Sequence, residues 1–191
     1  MIKGILLAAG QSKRLKNHNK FLKKFKHKEL ILHSFKSIQK SKINQIIIVL
    51  GYQSNEIKKL IKKNKKIKFV FNKKYKYGIS SSIKAGLKKI NKKDKGFIIL
   101  QSDMPFVKTS DINKIYKSIK RKKYLVHALK YKNRIGNPIG FDISILKKFK
   151  KIKGNVGAKY MVKRLNHSTN FIKVSSSKVF KDFDKASDFR A

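Results

Sequence analysis

The sequence predicts an α/β chain in which a mostly parallel sheet is covered by helices on both faces. Three observations carry this. Short β-branched runs alternate with stretches of helical period, runs such as Ile46 to Leu50 and Phe97 to Leu100 are strand-sized, and no repeat, Pro/Gly linker or low-complexity tract interrupts the rhythm. The exceptions are Lys-rich turns at Lys62 to Lys68 and Lys147 to Lys153. With 191 residues, 40% of them hydrophobic, the chain can bury a substantial core and suits one domain over residues 1 to 191.

Ile2 to Ala8 reads as a buried strand. Leu30 to Gln39 reads as a helix, with Ile31, Ser34, Phe35 and Ile38 on one face. Gln45 to Leu50 is a strand, and Ser54 to Ile61 a helix opened by a Ser/Asn cap. Lys68 to Phe71 is again a strand, before a helix over Ile79 to Ile90 with Ile83, Leu87 and Ile90 aligned. Gly96 to Gln101 is the next strand, and Ser110 to Ile119 a helix capped by Ser110 or Asp111. Tyr124 to Leu129 is a further strand. Beyond Tyr131 the pattern loosens into a Gly136-Asn137-Pro138 turn, helices near Ile143 to Phe149 and Gly157 to Leu165, and a strand at Phe171 to Val174.

Charge narrows the function classes. Lys and Arg number 51 against 9 Asp and Glu, a formal net charge of +42. A nucleic-acid reader would carry such a charge, but only five of the basic residues are arginine (Arg14, Arg121, Arg134, Arg164, Arg190), and the lysines are spread along the whole chain. The reading adopted is lysine at every solvated position, with nonspecific polyanion binding as a side effect. Acids are so scarce that each needs a reason. The absence of cysteine removes disulfides, Cys-based zinc sites and Cys nucleophiles. No run is long enough to cross a membrane, and Met1 leads straight into Ile-Lys-Gly-Ile without a signal-peptide pattern, so the expectation is a cytoplasmic protein without a membrane partner.

In an open parallel sheet, ligands bind beyond the carboxyl ends of the strands. The residues found there are Ala8-Ala9-Gly10-Gln11-Ser12-Lys13-Arg14, then Gly51-Tyr52, Asn72 and Ser102-Asp103-Met104-Pro105. Small residues after the first strand let backbone N–H groups approach a polyphosphate, with Arg14 as a fork and Lys20 as a point charge. A purely structural small-residue turn is the alternative. The loop fits neither a P-loop nor a dinucleotide fingerprint. Asp103, directly after an apolar strand, suits Mg²⁺, which takes one or two carboxylates plus substrate phosphates; an Asx turn before Pro105 is the alternative. Asp182 and Asp184 alternate around Phe183, so in an extended segment only one of them faces Asp103. Asp188 reads as a helix-start acid. The five histidines, His18, His27, His33, His127 and His167, form no metal spacing, and Tyr75 and Tyr77 are read as packing aromatics rather than base-stacking ones.

The run Leu7 to Leu15 followed by Asn19-Lys20 resembles the signature of nucleotidyltransferases that activate sugars, isoprenoid precursors and molybdopterin. It is most similar to the MobA-like NTP transferase family, in its molybdenum cofactor cytidylyltransferase branch. Further matches in order are Gly51-Tyr52 with Glu56-Ile57, Asn72 with Gly78 to Ile83 and Ala85 to Leu87, and Ser102 to Pro105. Gly136 to Pro138, Gly154 to Ala158 and Asp182 to Asp184 follow. The resemblance implies a Rossmann-like sheet of the nucleotide-diphospho-sugar transferase type that binds an NTP and Mg²⁺ and releases pyrophosphate. Leu7, Ala8, Ala9, Gly10, Ser12, Arg14 and Lys20 would hold the triphosphate, while Asn72, Ser81 and Ser82 sit near the nucleotide. Asp103 would hold the metal with Asp184, and Arg14, Lys20 and Asp103 would carry the catalysis. Gly136, Asn137, Pro138 and Gly157 would shape the pocket for a phosphorylated acceptor.

Within the resembled branch, Ala-Ala-Gly favours CTP over GTP, molybdopterin is the implied acceptor, and a molybdoenzyme is an implied partner. Departures from the pattern fall mainly on the acceptor side. Lys16 replaces a glycine, His27-Lys28-Glu29 a Gly-Lys-Pro turn, Asn155 an acid, and Lys185-Ala186 a Thr-Pro pair. Transfer to an isoprenoid or sugar phosphate, and a catalytically idle basic domain that binds nucleic acid, are the other two readings.

Overall fold

The computed structural model describes residues 1–15 and 19–190. Its strands are β1 (Ile2–Ala8), β2 (Lys24–Phe25), β3 (Lys28–Glu29), β4 (Gln45–Leu50), β5 (Ile67–Phe71), β6 (Gly96–Gln101), β7 (Val126–Tyr131), β8 (Arg134–Asp142) and β9 (Thr169–Lys173). The α-helices are α1 (Leu30–Gln39), α2 (Ser54–Leu60), α3 (Ile79–Leu87), α4 (Thr109–Lys120) and α5 (Lys159–Arg164). Seven strands form one sheet in the order β5-β4-β1-β6-β8-β7-β9, and β2 pairs with β3 in a small hairpin. Pairing is parallel throughout the large sheet except at β8, which runs antiparallel to both β6 and β7. The predicted mostly parallel α/β sheet is therefore the observed one.

Alternation along the central strands divides the interior into two cores. Leu6, Ile48, Ile98 and Leu100 face α1 and α4, together with Ile38, Ile112 and Ile115. Ile5, Leu7, Val49, Phe97 and Ile99 face the opposite way, onto Ile83 and Leu87 of α3 and Met161 and Val162 of α5. A cluster of rings is stacked at the carboxyl edge, where Phe183 is fully buried between Phe25, Phe106 and Phe189.

The largest departure from expectation is β8. The predicted Gly136-Asn137-Pro138 turn lies within a nine-residue strand. Proline cannot donate to a ladder. It is accommodated because the β7–β8 register shifts between Ala128 and Leu129: Ala128 pairs with Ile139 and Leu129 with Gly136, leaving Asn137 and Pro138 in the irregularity. Other corrections are local. The segment Ile143–Lys151 is a 3-10 helix, capped by Asp142 accepting from the Ser144 N–H at 2.9 Å. Helix α2 has no side-chain cap; Gln53 precedes it in the left-handed region with φ 50°. For α4 the residue before the helix is Lys108, and Asp111 reaches back to its N–H at 3.0 Å. Among the described residues, no helix is long and apolar enough to cross a membrane.

Between β7 and α4 lies a buried polar cluster. His127 is 0% exposed, and its Nδ1 shares a 2.7 Å hydrogen bond with Ser118, which also accepts from Asn170 Nδ2 at 2.7 Å. Nε2 is buried and has no partner among the described residues. Burial pushes the imidazole down from 6.5 to about 4, despite the nearby Asp142 carboxylate. Between those two values the unfolded chain binds a proton that the folded chain refuses, so acid weakens the fold in that window by up to about 3 kcal/mol. In urea unfolding at pH 7 and pH 4.5, the loss on acidification should be clearly smaller in His127→Gln than in the wild type. An equal loss in both proteins would remove His127 as the cause.

Candidate functional site

The carboxyl ends of β1, β4, β5 and β6 present Ala9-Gly10, Gly51, Asn72 and Ser102-Asp103 along one edge, as the parallel topology requires. The first loop folds tightly over that edge. Ser12 adopts φ 54°, its carbonyl accepts from the Leu15 N–H at 2.8 Å, and its Oγ accepts from the Lys20 N–H at 3.0 Å. Gly51 is required below this loop, because a Cβ there would stand 2.7 Å from the Ala9 carbonyl oxygen. Lys16 and His18 lie outside the described residues.

Lys20 is the centre of the arrangement. Its Nζ lies 2.5 Å from Asp103 Oδ2 and 2.6 Å from Asp184 Oδ1, with only 11% of its side chain exposed. Asp184 also receives Arg14 Nη1 at 2.9 Å on its other oxygen. Burial by itself would lower the Lys20 ammonium, but the Asp103 and Asp184 carboxylates more than offset that and hold it above 10.5. Burial pushes the Asp103 carboxyl up, with Lys20 pulling it the other way. Asp103 Oδ1 is buried and, among the described residues, has no hydrogen-bond partner.

Phe183 delivers the last carboxylate. Its ring is held in the aromatic cluster and its N–H donates to the Asp103 carbonyl at 3.0 Å. The alternation expected around it is observed: Asp184 faces Lys20, and Asp182 turns into a neighbouring cleft.

Two clefts adjoin at this edge. One, of about 340 Å³, is lined by Leu7, Ala9, Gly10, Lys20, Ser82 and Asp103 among others. The second, of about 410 Å³, is lined by Gly136, Asn137, Gly157, Arg134 and Asp182 among others. Gln101 lines both. Gln101 is not among the residues expected from the sequence, yet alternation along β6 places it on the same face as Phe97 and Ile99, at the open end of the strand. Tyr75 and Asn155 also line the first cleft.

Several predicted residues lie behind the clefts rather than in them. Ala8 belongs to the core on the other face of the sheet. Ser12 supports Lys20, and Pro138 lines neither cleft. Asn72 is buried and uses its whole amide: Nδ2 donates to Ser81 Oγ at 2.9 Å and Ser82 Oγ at 3.1 Å, and Oδ1 accepts from the Lys74 N–H at 3.0 Å. Ser81 donates to main-chain carbonyls, so of this pair it is Ser82 that lines the cleft. Gly78 opens α3 at φ 89°, where a Cβ would meet the Gly154 carbonyl at 2.5 Å, and that carbonyl accepts from the Ser80 N–H.

A divalent cation suits the donors present. Asp103 and Asp184 offer hard oxygens, one of them an orphaned buried acceptor, and Mg²⁺ commonly takes one or two carboxylates with substrate phosphates completing its shell. Among the described residues, no group of three or more His, Cys, Asp or Glu forms a closed metal cage.

Residues 4–169 match the MobA-like NTP transferase domain. Among curated proteins, the chain is similar to the Bifunctional protein GlmU of Clostridioides difficile, 26% identical over 140 residues, covering 73% of this chain and 29% of that protein. It is also similar to the protein of that name from Buchnera aphidicola, 32% identical over 149 residues, covering 78% and 31%. The chain thus spans about a third of the length of these relatives.

Among solved structures, Rv0371c of Mycobacterium tuberculosis superposes with a TM-score of 0.84 at 19% identity, covering 99% of this chain and 95% of that one. That protein has also been crystallised with manganese. A nucleotidyl transferase from Methanothermobacter gives 0.83 at 17% identity, covering 100% and 94%. The 4-diphosphocytidyl-2C-methyl-D-erythritol synthase of Anaerococcus prevotii gives 0.76 at 16%, covering 100% and 93%. At these identities the superpositions establish a shared fold.

The Asn72 hub makes a test of how the cleft is built. Asn72→Ala should cost about 1–3 kcal/mol in urea unfolding, since it strips a donor from the buried Ser82 hydroxyl and the half-buried Ser81 one. Asn72→Asp, which keeps an acceptor but loses both donors, should fail to restore it. Wild-type stability in Asn72→Ala would show that the hub does not hold α3 in place.

Proposed function

The chain belongs to the MobA-like NTP transferase domain family, and we propose that it transfers a nucleoside monophosphate from an NTP, CTP by preference, to a phosphorylated acceptor. The observation that carries this reading is the meeting of two clefts at Gln101, beside the Asp103–Lys20–Asp184 cluster. One cleft takes the nucleotide, with Leu7, Ala9 and Gly10 beside the triphosphate and Ser82 beside the nucleoside. The other takes the acceptor, shaped by Gly136, Asn137 and Gly157.

In the reaction, an oxygen of the acceptor phosphate attacks the α-phosphorus as the bond to the β-phosphate oxygen breaks, and pyrophosphate departs. The attacking phosphate is already ionised at neutral pH, so no general base is required. Asp103 and Asp184 would hold the divalent cation, which would supply Lewis-acid stabilisation of charge on the phosphates. Manganese in crystals of Rv0371c, whose fold this chain shares, is consistent with that role. Lys20 and Arg14 stabilise the departing pyrophosphate, and the fixed loop Ala9 to Ser12 aligns the triphosphate. The chemistry is positioning and charge, as in other phosphoryl transfers.

The Ala8-Ala9-Gly10 loop favours CTP, and molybdopterin is the acceptor that the family resemblance implies. An isoprenoid or sugar phosphate is the second reading, supported by the shared fold of the Anaerococcus synthase. Pyrophosphate release measured with CTP, GTP, ATP and UTP against molybdopterin, an isoprenoid-type alcohol phosphate and a sugar phosphate separates these. Release with none of the pairs would overturn the transfer reading.

Asp103→Ala should lower pyrophosphate release by about 100-fold or more while the protein stays folded by circular dichroism. Turnover near wild type in the folded variant would remove Asp103 from the metal site. Arg14 is exposed, so its pairing with Asp184 contributes little to stability. Arg14→Ala should therefore leave the melting temperature nearly unchanged. It should nevertheless lower kcat/KM for the NTP by roughly 30-fold or more, the loss of one charge-assisted phosphate contact. Lys23→Ala, which removes an exposed charge lying over the Phe189 ring at 4.7 Å and outside the acid cluster, should change the salt dependence alone. An equal kinetic loss at Lys23 would mean that a diffuse basic surface, not a clamp, holds the nucleotide.

A further inference from the structure

The two carboxylates proposed to hold the cation are neutralised from within the chain. The Lys20 ammonium stands between Asp103 Oδ2 at 2.5 Å and Asp184 Oδ1 at 2.6 Å, and Arg14 covers the second oxygen of Asp184 at 2.9 Å. A divalent cation needs these same oxygens. Two like charges forced together in a site this buried repel strongly, so ammonium and metal are alternatives. Lys20 also lines the nucleotide cleft together with Gly10 and Gln11, where a polyanion would attract it.

We propose that Lys20 is a resident counter-cation occupying the metal's place, so that the free protein resists divalent cations until a triphosphate draws the lysine onto its oxygens and vacates the carboxylates. This rests on the transfer reading above and adds regulation to the same site. It makes nucleotide and metal binding mutually reinforcing, because whatever displaces Lys20 from the acids favours the other ligand by the same factor. It also gives the orphaned Asp103 Oδ1 a purpose: the ammonium satisfies one oxygen of that carboxylate and leaves the other for an incoming cation.

The test is Mn²⁺ binding to the nucleotide-free protein, followed by the electron paramagnetic resonance signal of free Mn²⁺ and by calorimetry. Lys20→Met should bind Mn²⁺ about tenfold or more tightly than wild type. Lys23→Met, which removes a neighbouring charge outside the cluster, should stay within about twofold of wild type. Adding Asp103→Asn to Lys20→Met should abolish the gain. Mn²⁺ should also raise the melting temperature of Lys20→Met more than that of wild type, a readout independent of turnover. Lys20→Gln, which keeps a polar head without charge, should behave like Lys20→Met and serves if the latter does not fold. Equal Mn²⁺ affinity in wild type, Lys23→Met and both Lys20 variants would overturn the part given to Lys20 while leaving the transfer reading intact. If no variant binds Mn²⁺ and none releases pyrophosphate, the two-carboxylate seat and the transfer reading fall together.

Discussion

A buried ammonium between two carboxylates is the constraint on which the rest of this edge of the molecule depends. Lys20 has little access to water, and a charge taken out of water must be met by opposite charge in close geometry or the fold suffers. Its partners come from distant parts of the chain: Asp103 from the end of β6, and Asp184 from a segment 164 residues beyond Lys20 itself. The first loop is therefore fixed at Lys20 by both backbone and side chain, through Ser12 and through the acids. The aromatic cluster around Phe183 serves the same end, since it sets the segment that carries Asp184 against the main-chain carbonyl of Asp103.

The sheet was legible in the sequence wherever the strands are central. β1, β4 and β6 are buried on both faces, so they read as largely apolar runs, interrupted in β1 by Lys3, and their predicted bounds match the observed ones. β8 was not legible. Gly136, Pro138 and Gly140 depress strand propensity, and only tertiary context, the register shift opposite Ala128 and Leu129, permits them. Gly140 is itself tied to that context, because a Cβ there would stand 2.3 Å from Ile115 Cγ2 on α4. Within the site, alternation separated Asp182 from Asp184, and the position after a buried strand marked Asp103. Proximity in sequence could not tell Ser81, consumed by backbone carbonyls, from Ser82, which lines the cleft. Nor could it show that Lys20 and the acids find one another.

The scarcity of acids becomes intelligible in the structure. In a chain with a net charge of +42, any carboxylate can find a lysine, so pairing alone explains little. What distinguishes many of those retained is the main-chain N–H they accept: Asp94 from Asn91, Asp111 from Lys108, Asp142 from Ser144, and Asp188 from both Asp184 and Lys185. Asp94 adds a 2.8 Å bridge to the buried Lys3. These are places where lysine cannot substitute, because an ammonium accepts no hydrogen bond. Asp103 and Asp184 stand apart, turned toward Lys20.

The long reach between Lys20 and Asp184 also bears on how the protein is made. A chain emerging from the ribosome folds its leading part first. β1, β4, β5 and β6 are available early and bring Lys20 beside Asp103, but the second carboxylate is still unsynthesised or inside the exit tunnel. A product stopped short of Asp184 therefore lacks one wall of the charge cluster. Completion of the charge cluster is thus tied to completion of the segment held by Phe183.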